Sequence, residues 1–356
     1  MRGRGGEGEK SLEPFRKTCD NQLPFLSLKA QVFKRVSITV GLSLLLLSGS
    51  MTRGSAQSRV LRTGLGDKRD TSVGSYSGLM KPLAPELQVQ SLPVLAPTQP
   101  AAVEQLKQGI ALIQQGKLPE AIAAFRQASQ LNPQLAPAHY NLGLALRQVG
   151  QLQASADAFY KATQADPNFA LAFANLGAAL LEGSNLQLAR DYLGRALELD
   201  SNLGVAHYNY GLVLSQLGEL DRAIAQFKSA MQLSQNAPEP SYHLGVTYLQ
   251  QGKIKEAKKA FQQALKISPQ YPEAHYHIGS ILFNEGNLDA ALEAFRKAAV
   301  ANSNYANAYY AAGLVFLRQN RYSDAQQVLQ YARDLYKVQG NSQWARQADQ
   351  LLERSR

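Results

Sequence analysis

Carboxamide side chains recur at a fixed interval in this chain. Asn141, Asn175 and Asn209 are each separated by 34 residues, and His243 and His277 continue the same interval. A primary amide both donates and accepts hydrogen bonds, so one asparagine can pair with the N–H and the C=O of a peptide unit. A row of such amides can therefore pair with successive peptide units of another protein.

Two further rows share this interval. A second row of amides lies seven residues after the first and includes Gln148, Gln216 and Gln250. A row of tyrosines lies one residue before the first and includes Tyr140, Tyr208, Tyr242 and Tyr276. Tyrosine gives a large contact area at low entropic cost and keeps a polar hydroxyl, which suits peptide binding. Two alternatives stay open: the amides as neutral, soluble helix positions, and the tyrosines as packing residues between neighbouring helices.

The elements that position these rows are marked by seven glycines at the same interval. They are Gly109, Gly143, Gly177, Gly211, Gly245, Gly279 and Gly313. Glycine in a helix costs about 0.5–1 kcal/mol relative to alanine, so its retention in one phase predicts close helix approach. A small residue follows each glycine by 12 positions, and phenylalanine or leucine follows it by 16. We expect small residues on two helices to face each other, with the bulky side chain filling the wedge between them.

This pattern resembles the tetratricopeptide repeat, and the resemblance covers residues 102–339. It implies an all-α fold, a right-handed superhelical solenoid of seven helix-turn-helix units in a domain at 101–339, followed by a capping helix at 340–356. The implied units are 102–135, 136–169, 170–203, 204–237, 238–271, 272–305 and 306–339. In this family the first helix of each unit lines a concave groove, which both amide rows face. The asparagine row also resembles the repeat region of the O-linked N-acetylglucosamine transferase, although we expect no catalytic domain here.

Two positions of the repeat vary in an informative way. The turn between the paired helices holds glycine in most units, with Gly183 one place early in the third unit and Asn320 in the seventh. The position four residues before each repeated glycine, usually tryptophan in the family, holds Gln105, His139, Phe173, His207, Ser241, His275 and Tyr309. We interpret these histidines as packing residues and not as metal ligands.

The first hundred residues lack the repeat and predict export. Lys34 and Arg35 precede an apolar run at 36–48, and small residues follow up to Ala56. Basic residues, a short apolar run and a small-residue exit are typical of a secretory signal, so we assign 1–56 to an extension with a signal peptide cleaved near Ala56. The expected location is periplasmic or secreted, with an uncleaved membrane anchor as the alternative. Residues 57–100, rich in glycine and proline, predict a disordered linker.

Composition disfavours several functions. The formal charge is +10, but residues 101–356 hold 23 basic and 20 acidic side chains, which argues against nucleic acid as a partner. The one cysteine, Cys19, precedes the apolar run, so the mature chain should carry no thiol. No phosphate loop, metal-binding motif or nucleophile elbow occurs, so we expect no enzyme activity, no cofactor and no metal.

The favoured function is a protein–protein interaction scaffold that binds an extended peptide segment in its concave groove. One alternative is a structural spacer or assembly adaptor that binds no peptide. Another is a non-catalytic subunit of a glycosyltransferase or envelope export complex. The polarity of the groove favours the first and third over the second.

Overall fold

A computed structural model describes residues 99–355, which contain fifteen α-helices and no strands. This part of the chain divides into two compact units, residues 99–167 and residues 168–355. The predicted signal at 36–48, the cleavage site at Ala56 and almost all of the predicted linker lie outside the described residues. The first helix begins at Pro100, which the sequence analysis assigned to the linker.

Residues 99–167 form two helix pairs, with each first helix packed along its second. The helices are α1 (Pro100–Gln114), α2 (Leu118–Leu131), α3 (Ala136–Gln148) and α4 (Leu152–Ala165). Prolines lie in the first turns of α1, α2 and α3, where the missing N–H has no intrahelical partner to lose.

Residues 168–355 continue the alternation of first and second helices. The first helices are α5 (Ala170–Glu182), α7 (Gly204–Gln216), α9 (Glu239–Gln250), α11 (Pro272–Asn284) and α13 (Ala306–Leu317). The second helices are α6 (Leu186–Leu199), α8 (Leu220–Leu233), α10 (Ile254–Ile267), α12 (Leu288–Ala301) and α14 (Tyr322–Val338). A further helix, α15 (Ser342–Arg354), packs against α14. The all-α repeat fold is therefore confirmed.

The repeated glycines lie directly against the bulky residue of the paired helix. A Cβ atom placed on Gly211 would lie 2.7 Å from a ring carbon of Phe227, and one on Gly245 would lie 2.6 Å from Phe261. The predicted close approach of the paired helices is confirmed, and the small residue 12 positions after the glycine lies against it, since Oγ of Ser155 donates to the Gly143 carbonyl at 2.7 Å. The ring itself occupies the space beside the glycine, since its atoms are the nearest neighbours of the missing Cβ.

The turn between paired helices uses a left-handed backbone conformation. Glycine supplies it at five of these turns in the described residues, Gly116, Gly150, Gly218, Gly252 and Gly286. In α5–α6 the left-handed residue is Ser184, with φ 61°, and Gly183 serves as an ordinary C-cap with φ −77°. Asn320 takes the same conformation before α14, as the sequence indicated. The glycine of the third unit, one place early, therefore does not supply the left-handed residue of this turn.

First helices form one face of residues 168–355. The pairs α5 and α7, α7 and α9, and α11 and α13 contact each other directly, whereas each second helix packs against the first helices beside it. We call the surface formed by α5, α7, α9, α11 and α13 the inner face. Among the helices of residues 99–355, none combines the length with the apolar composition that a membrane span requires.

Candidate functional site

Tyrosine and histidine alternate across the inner face. The ring centroids of Tyr208 on α7 and His243 on α9 lie 5.7 Å apart, and those of Tyr242 on α9 and His277 on α11 also lie 5.7 Å apart. The Tyr242 hydroxyl and Nε2 of His277 lie 3.2 Å apart, within hydrogen-bond distance. Each contact joins neighbouring first helices. Packing between first helices, which the sequence left open as an alternative for the tyrosines, is what these residues show.

Both histidines also stack on the phenylalanine of the preceding second helix. His277 lies parallel to Phe261 with centroids 5.0 Å apart, and His243 stacks on Phe227 at 6.1 Å. Burial lowers the pKa of His243 to about 3 and that of His277 to about 4. The imidazoles are therefore neutral packing groups at physiological pH, because the charged form would lose its hydration.

The predicted asparagine row is buried. Asn141, Asn175 and Asn209 are each 1% exposed. Nδ2 of Asn141 donates to the Pro137 carbonyl at 2.8 Å, and Nδ2 of Asn175 donates to that of Leu171 at 2.9 Å. Nδ2 and Oδ1 of Asn209 have no hydrogen-bond partner in the described structure. The three amides therefore do not lie on an open surface. Peptide binding through them stays a prediction.

The other predicted site residues differ in exposure. Tyr140, Tyr208 and Tyr242 are buried, as are His243 and His277. Tyr276 and Gln216 are half-buried, while Gln148 and Gln250 are exposed. Oε1 of Gln250 lies 3.3 Å from the Ser215 hydroxyl on the neighbouring first helix. Of the two amide rows, the glutamines are thus the ones that reach solvent.

Two carboxylates that the sequence analysis did not single out join this site. Glu239 and Glu273 occupy the first turns of α9 and α11, each six residues before a repeated glycine. Both side chains are half-buried, and no cation lies within ion-pair distance of either in the described structure. Their shared repeat position was the signal that could have found them.

The charge of Glu273 acts on three tyrosines. Burial first, and then the charge of Glu273, raises the pKa of Tyr242, and Glu273 also contributes to the raised pKa values of Tyr271 and Tyr305. Burial raises the pKa of the Glu273 carboxyl as well, while a hydrogen bond from its own backbone N–H acts in the opposite direction. A half-buried carboxylate that interacts electrostatically with tyrosines can receive a cationic group, since aromatic rings also attract cations through their faces.

The histidines at the tryptophan position have a different role. Nε2 of His139, His207 and His275 lies 3.0, 3.0 and 2.9 Å from the carbonyl oxygen six residues earlier, that of Pro133, Ser201 and Pro269 respectively. These side chains tie the start of a first helix to the loop before it. Residues 99–355 contain no group of three histidine, cysteine or acidic side chains that could hold a metal ion.

The paired helices and the inner face define a helical-repeat protein. Comparison with known families shows which kind of repeat it contains. Tetratricopeptide repeat models match residues 109–150, 136–169, 202–270 and 242–307. Within these residues the chain therefore carries tetratricopeptide repeats. No curated protein matches it in sequence. The resemblance to the transferase repeat region is not confirmed by these comparisons.

Several solved structures superpose on this repeat fold. A tetratricopeptide repeat protein from Parabacteroides merdae superposes with a TM-score of 0.54 at 18% identity, covering 72% of this chain and 99% of that one. PilF from Pseudomonas aeruginosa gives a TM-score of 0.52 at 18% identity, covering 60% and 97%. The Cut9–Hcn1 hetero-tetramer of the APC/C gives 0.56 at 21% identity, covering 71% of this chain and 48% of that one. At these identities the likeness shows the fold alone.

Proposed function

We propose that this protein is an interaction scaffold whose inner face, within residues 168–355, holds an extended segment of a partner protein that carries basic side chains. The observation that carries the proposal is Glu273, a half-buried carboxylate whose charge acts on Tyr242 and Tyr305 and that has no cation partner in the described structure. Tetratricopeptide repeats in general serve as scaffolds for other proteins. The proposal adds where the partner lies and what it must carry.

Electrostatics support a basic partner. Burying a carboxylate is unfavourable unless a cation or hydrogen bonds compensate it. The position of Glu273 at the start of α11 compensates part of this cost, because a helix N-terminus favours negative charge. Lysine or arginine from a partner would compensate the rest and would also contact the rings of Tyr271 and Tyr305.

The rest of the inner face supports an extended segment. The repeat position of Glu239 and Glu273 holds Leu171 and Val205 in the two preceding first helices, and all four side chains are half-buried. The face therefore changes from apolar to acidic along the array. Gln216 and Gln250 lie one repeat apart and can pair with a peptide backbone, which is the part of the sequence-based hypothesis that we retain.

Affinity capture with the full chain tests this function. Partners captured by the native protein are compared by mass spectrometry with those captured by a double variant, Glu239→Gln and Glu273→Gln. Glu256→Gln is the matched control, because Glu256 is exposed in the first turn of the second helix α10. We expect a set of partners that the double variant loses and the control keeps. Identical capture by all three proteins would favour a spacer or adaptor that does not use the inner face.

Two finer points complete the proposal. We propose that the chain is exported, with its mature form beginning near Gln57, and N-terminal sequencing of the exported protein tests this. A start before Arg35 would contradict it. We also propose that the scaffold is not itself an enzyme. If the captured partners include a glycosyltransferase or an envelope export component, the protein is its non-catalytic subunit.

A further inference from the structure

A surface cleft lies between α8, α9 and α10, in the fourth and fifth predicted units. Its volume is about 360 Å³, within the range of roughly 300–1,000 Å³ typical of ligand pockets. Met231 and Ile267 supply apolar walls, while Gln235 and Gln263 supply amides. Ser241 also lines the cleft, is 0% exposed, and has an Oγ atom without a hydrogen-bond partner in the described structure. Such an atom is uncommon, because buried hydroxyls are nearly always bonded.

Comparison within the chain shows what the cleft lacks. Ser241 occupies the tryptophan position, where three other units carry a histidine bonded to the carbonyl oxygen six residues earlier. The equivalent carbonyl here belongs to Gln235, which also lines the cleft. Serine is too short to reproduce the aromatic group or its hydrogen bond. The unit therefore keeps the surroundings of an aromatic N–H group without the group itself.

The cleft recurs one repeat further along, which shows that it belongs to the architecture. The equivalent space, of about 380 Å³, is lined by residues that include Leu265, Pro269, His275 and Lys297. Its volume is similar, so the two clefts differ in chemistry and not in size. In the second cleft the polar group, His275, is bonded within the protein to the Pro269 carbonyl, and Lys297 adds a positive charge. Only the first of these two clefts offers an unbonded buried group.

We infer that the Ser241 cleft receives a planar aromatic side chain with an N–H donor, tryptophan or histidine, from a partner protein. The N–H donates to Oγ of Ser241, and the ring lies between Met231 and Ile267. Methionine sulfur favours such contacts with aromatic rings. This site is separate from the inner-face proposal and does not depend on it. A partner side chain would fill here the space that the chain's own histidines fill in the sister units.

Methyl NMR of the full chain gives a direct test. The chain has four methionines, and only Met231 lies in the described part, so its ¹³C-methyl signal can be assigned with Met231→Leu. Indole is the probe, and 1-methylindole, which has no N–H donor, is the matched control ligand. We expect indole to shift the Met231 signal saturably and 1-methylindole to bind about tenfold more weakly. Absence of a saturable shift, or equal affinity for both ligands, would overturn the inference.

Two variants distinguish the contribution of the Ser241 hydroxyl from that of the empty space in the cleft. Ser241→Ala keeps the cleft, so it should weaken indole about tenfold and leave 1-methylindole unchanged. Ser241→His should donate to the Gln235 carbonyl as its sister histidines do, raise the melting temperature and abolish indole binding. If Ser241→His does not fold, Ser241→Ala alone decides, and unchanged indole affinity in that variant contradicts the site.

The source of the aromatic group is tested with peptides. Gly-Gly-Trp-Gly-Gly should shift the Met231 signal at least as strongly as indole, whereas Gly-Gly-Phe-Gly-Gly should not. A shift with indole but none with the tryptophan peptide would assign the cleft to a free heterocycle and contradict a partner protein.

Discussion

The hydroxyl oxygen of Tyr242 and Nε2 of His277 lie 3.2 Å apart across two neighbouring first helices. The same imidazole stacks on Phe261 at 5.0 Å and makes an edge contact with the Tyr276 ring at 5.4 Å. His243 repeats the ring contacts one repeat earlier, against Tyr208 and Phe227. Neighbouring units are thus joined by imidazoles that must stay neutral, and this has a consequence for stability.

Acid should weaken the fold between pH 7 and pH 5. The unfolded chain protonates both histidines near pH 6.5, whereas burial holds their folded pKa values at about 3 and about 4. In this window the unfolded state binds more protons, so stability falls as pH falls, by about 3–4 kcal/mol in all. The lowered pKa values of His139 and His275 act in the same direction. Urea unfolding at several pH values measures the effect.

A double variant provides the control for this pH dependence. His243→Phe with His277→Phe keeps the stacking and removes both titrating groups, so its pH profile should be much flatter. Burial raises the pKa of Glu273, which stabilises the folded state slightly toward acid and opposes the histidines only near the lower end of the window. An equally steep profile in the double variant would contradict the assignment to these residues.

Replacing glycine by alanine should have opposite effects on stability at two positions, Gly211 and Gly194. Gly211→Ala places a methyl group 2.7 Å from the Phe227 ring, so it should lower the free energy of unfolding by about 1–3 kcal/mol. Gly194→Ala, inside α6, meets no atom within 4 Å and should raise it by up to about 1 kcal/mol. Thermal unfolding of the two variants checks this. A similar destabilisation in both would argue against ring-to-backbone packing as the reason for the repeated glycine.

A single substitution in the turn between α5 and α6 should raise the stability of the protein. Ser184 holds φ 61°, a conformation that costs a residue with a side chain about 1 kcal/mol. Ser184→Gly should therefore stabilise the protein by about that amount. Gly183→Ala should be tolerated, because the added Cβ meets only ordinary contacts at 3.5 Å, whereas Gly150→Ala at φ 78° should destabilise. Chemical unfolding that ranks Gly183→Ala below Gly150→Ala would contradict this account of the turns.

The buried asparagines allow the sequence-based binding hypothesis to be tested separately from stability. Asn209 has unbonded amide atoms in the described structure, so Asn209→Leu should raise the free energy of unfolding by about 1–3 kcal/mol. Asn141→Ala should lower it, because the bond to the Pro137 carbonyl is lost. We expect both variants to keep partner affinity. Loss of affinity in Asn209→Leu, at unchanged fold, would restore the amide row as a binding element.

The sequence was sufficient to predict the fold because its information is local and repeated. A glycine, a small residue and a phenylalanine or leucine at fixed offsets define each helix pair, and the structure shows the same contact at Gly211 and at Gly245. The turn of the third unit was the exception, since a one-residue shift of glycine does not reveal which residue adopts positive φ. That depends on the backbone of the whole turn.

The candidate site was less predictable because it depends on distances between units. The identity of Asn209 indicates an amide, but only the approach of the neighbouring first helices determines that it is buried. Glu273 is visible in the sequence at the repeat position of Glu239, yet its lack of a cation partner is a property of the packed array. The buried asparagines and the half-buried glutamates differ in their exposure to solvent, which the sequence does not reveal.

The most direct test of the central claim is the affinity of a captured basic segment, measured by calorimetry for the full chain and its variants. We predict that Glu239→Gln with Glu273→Gln weakens binding about 10- to 100-fold and reduces its dependence on salt, because charged hydrogen bonds are lost. Glu256→Gln should leave both properties unchanged. Equal affinity and equal salt dependence in the double variant and the native protein would contradict binding of a basic segment at the inner face.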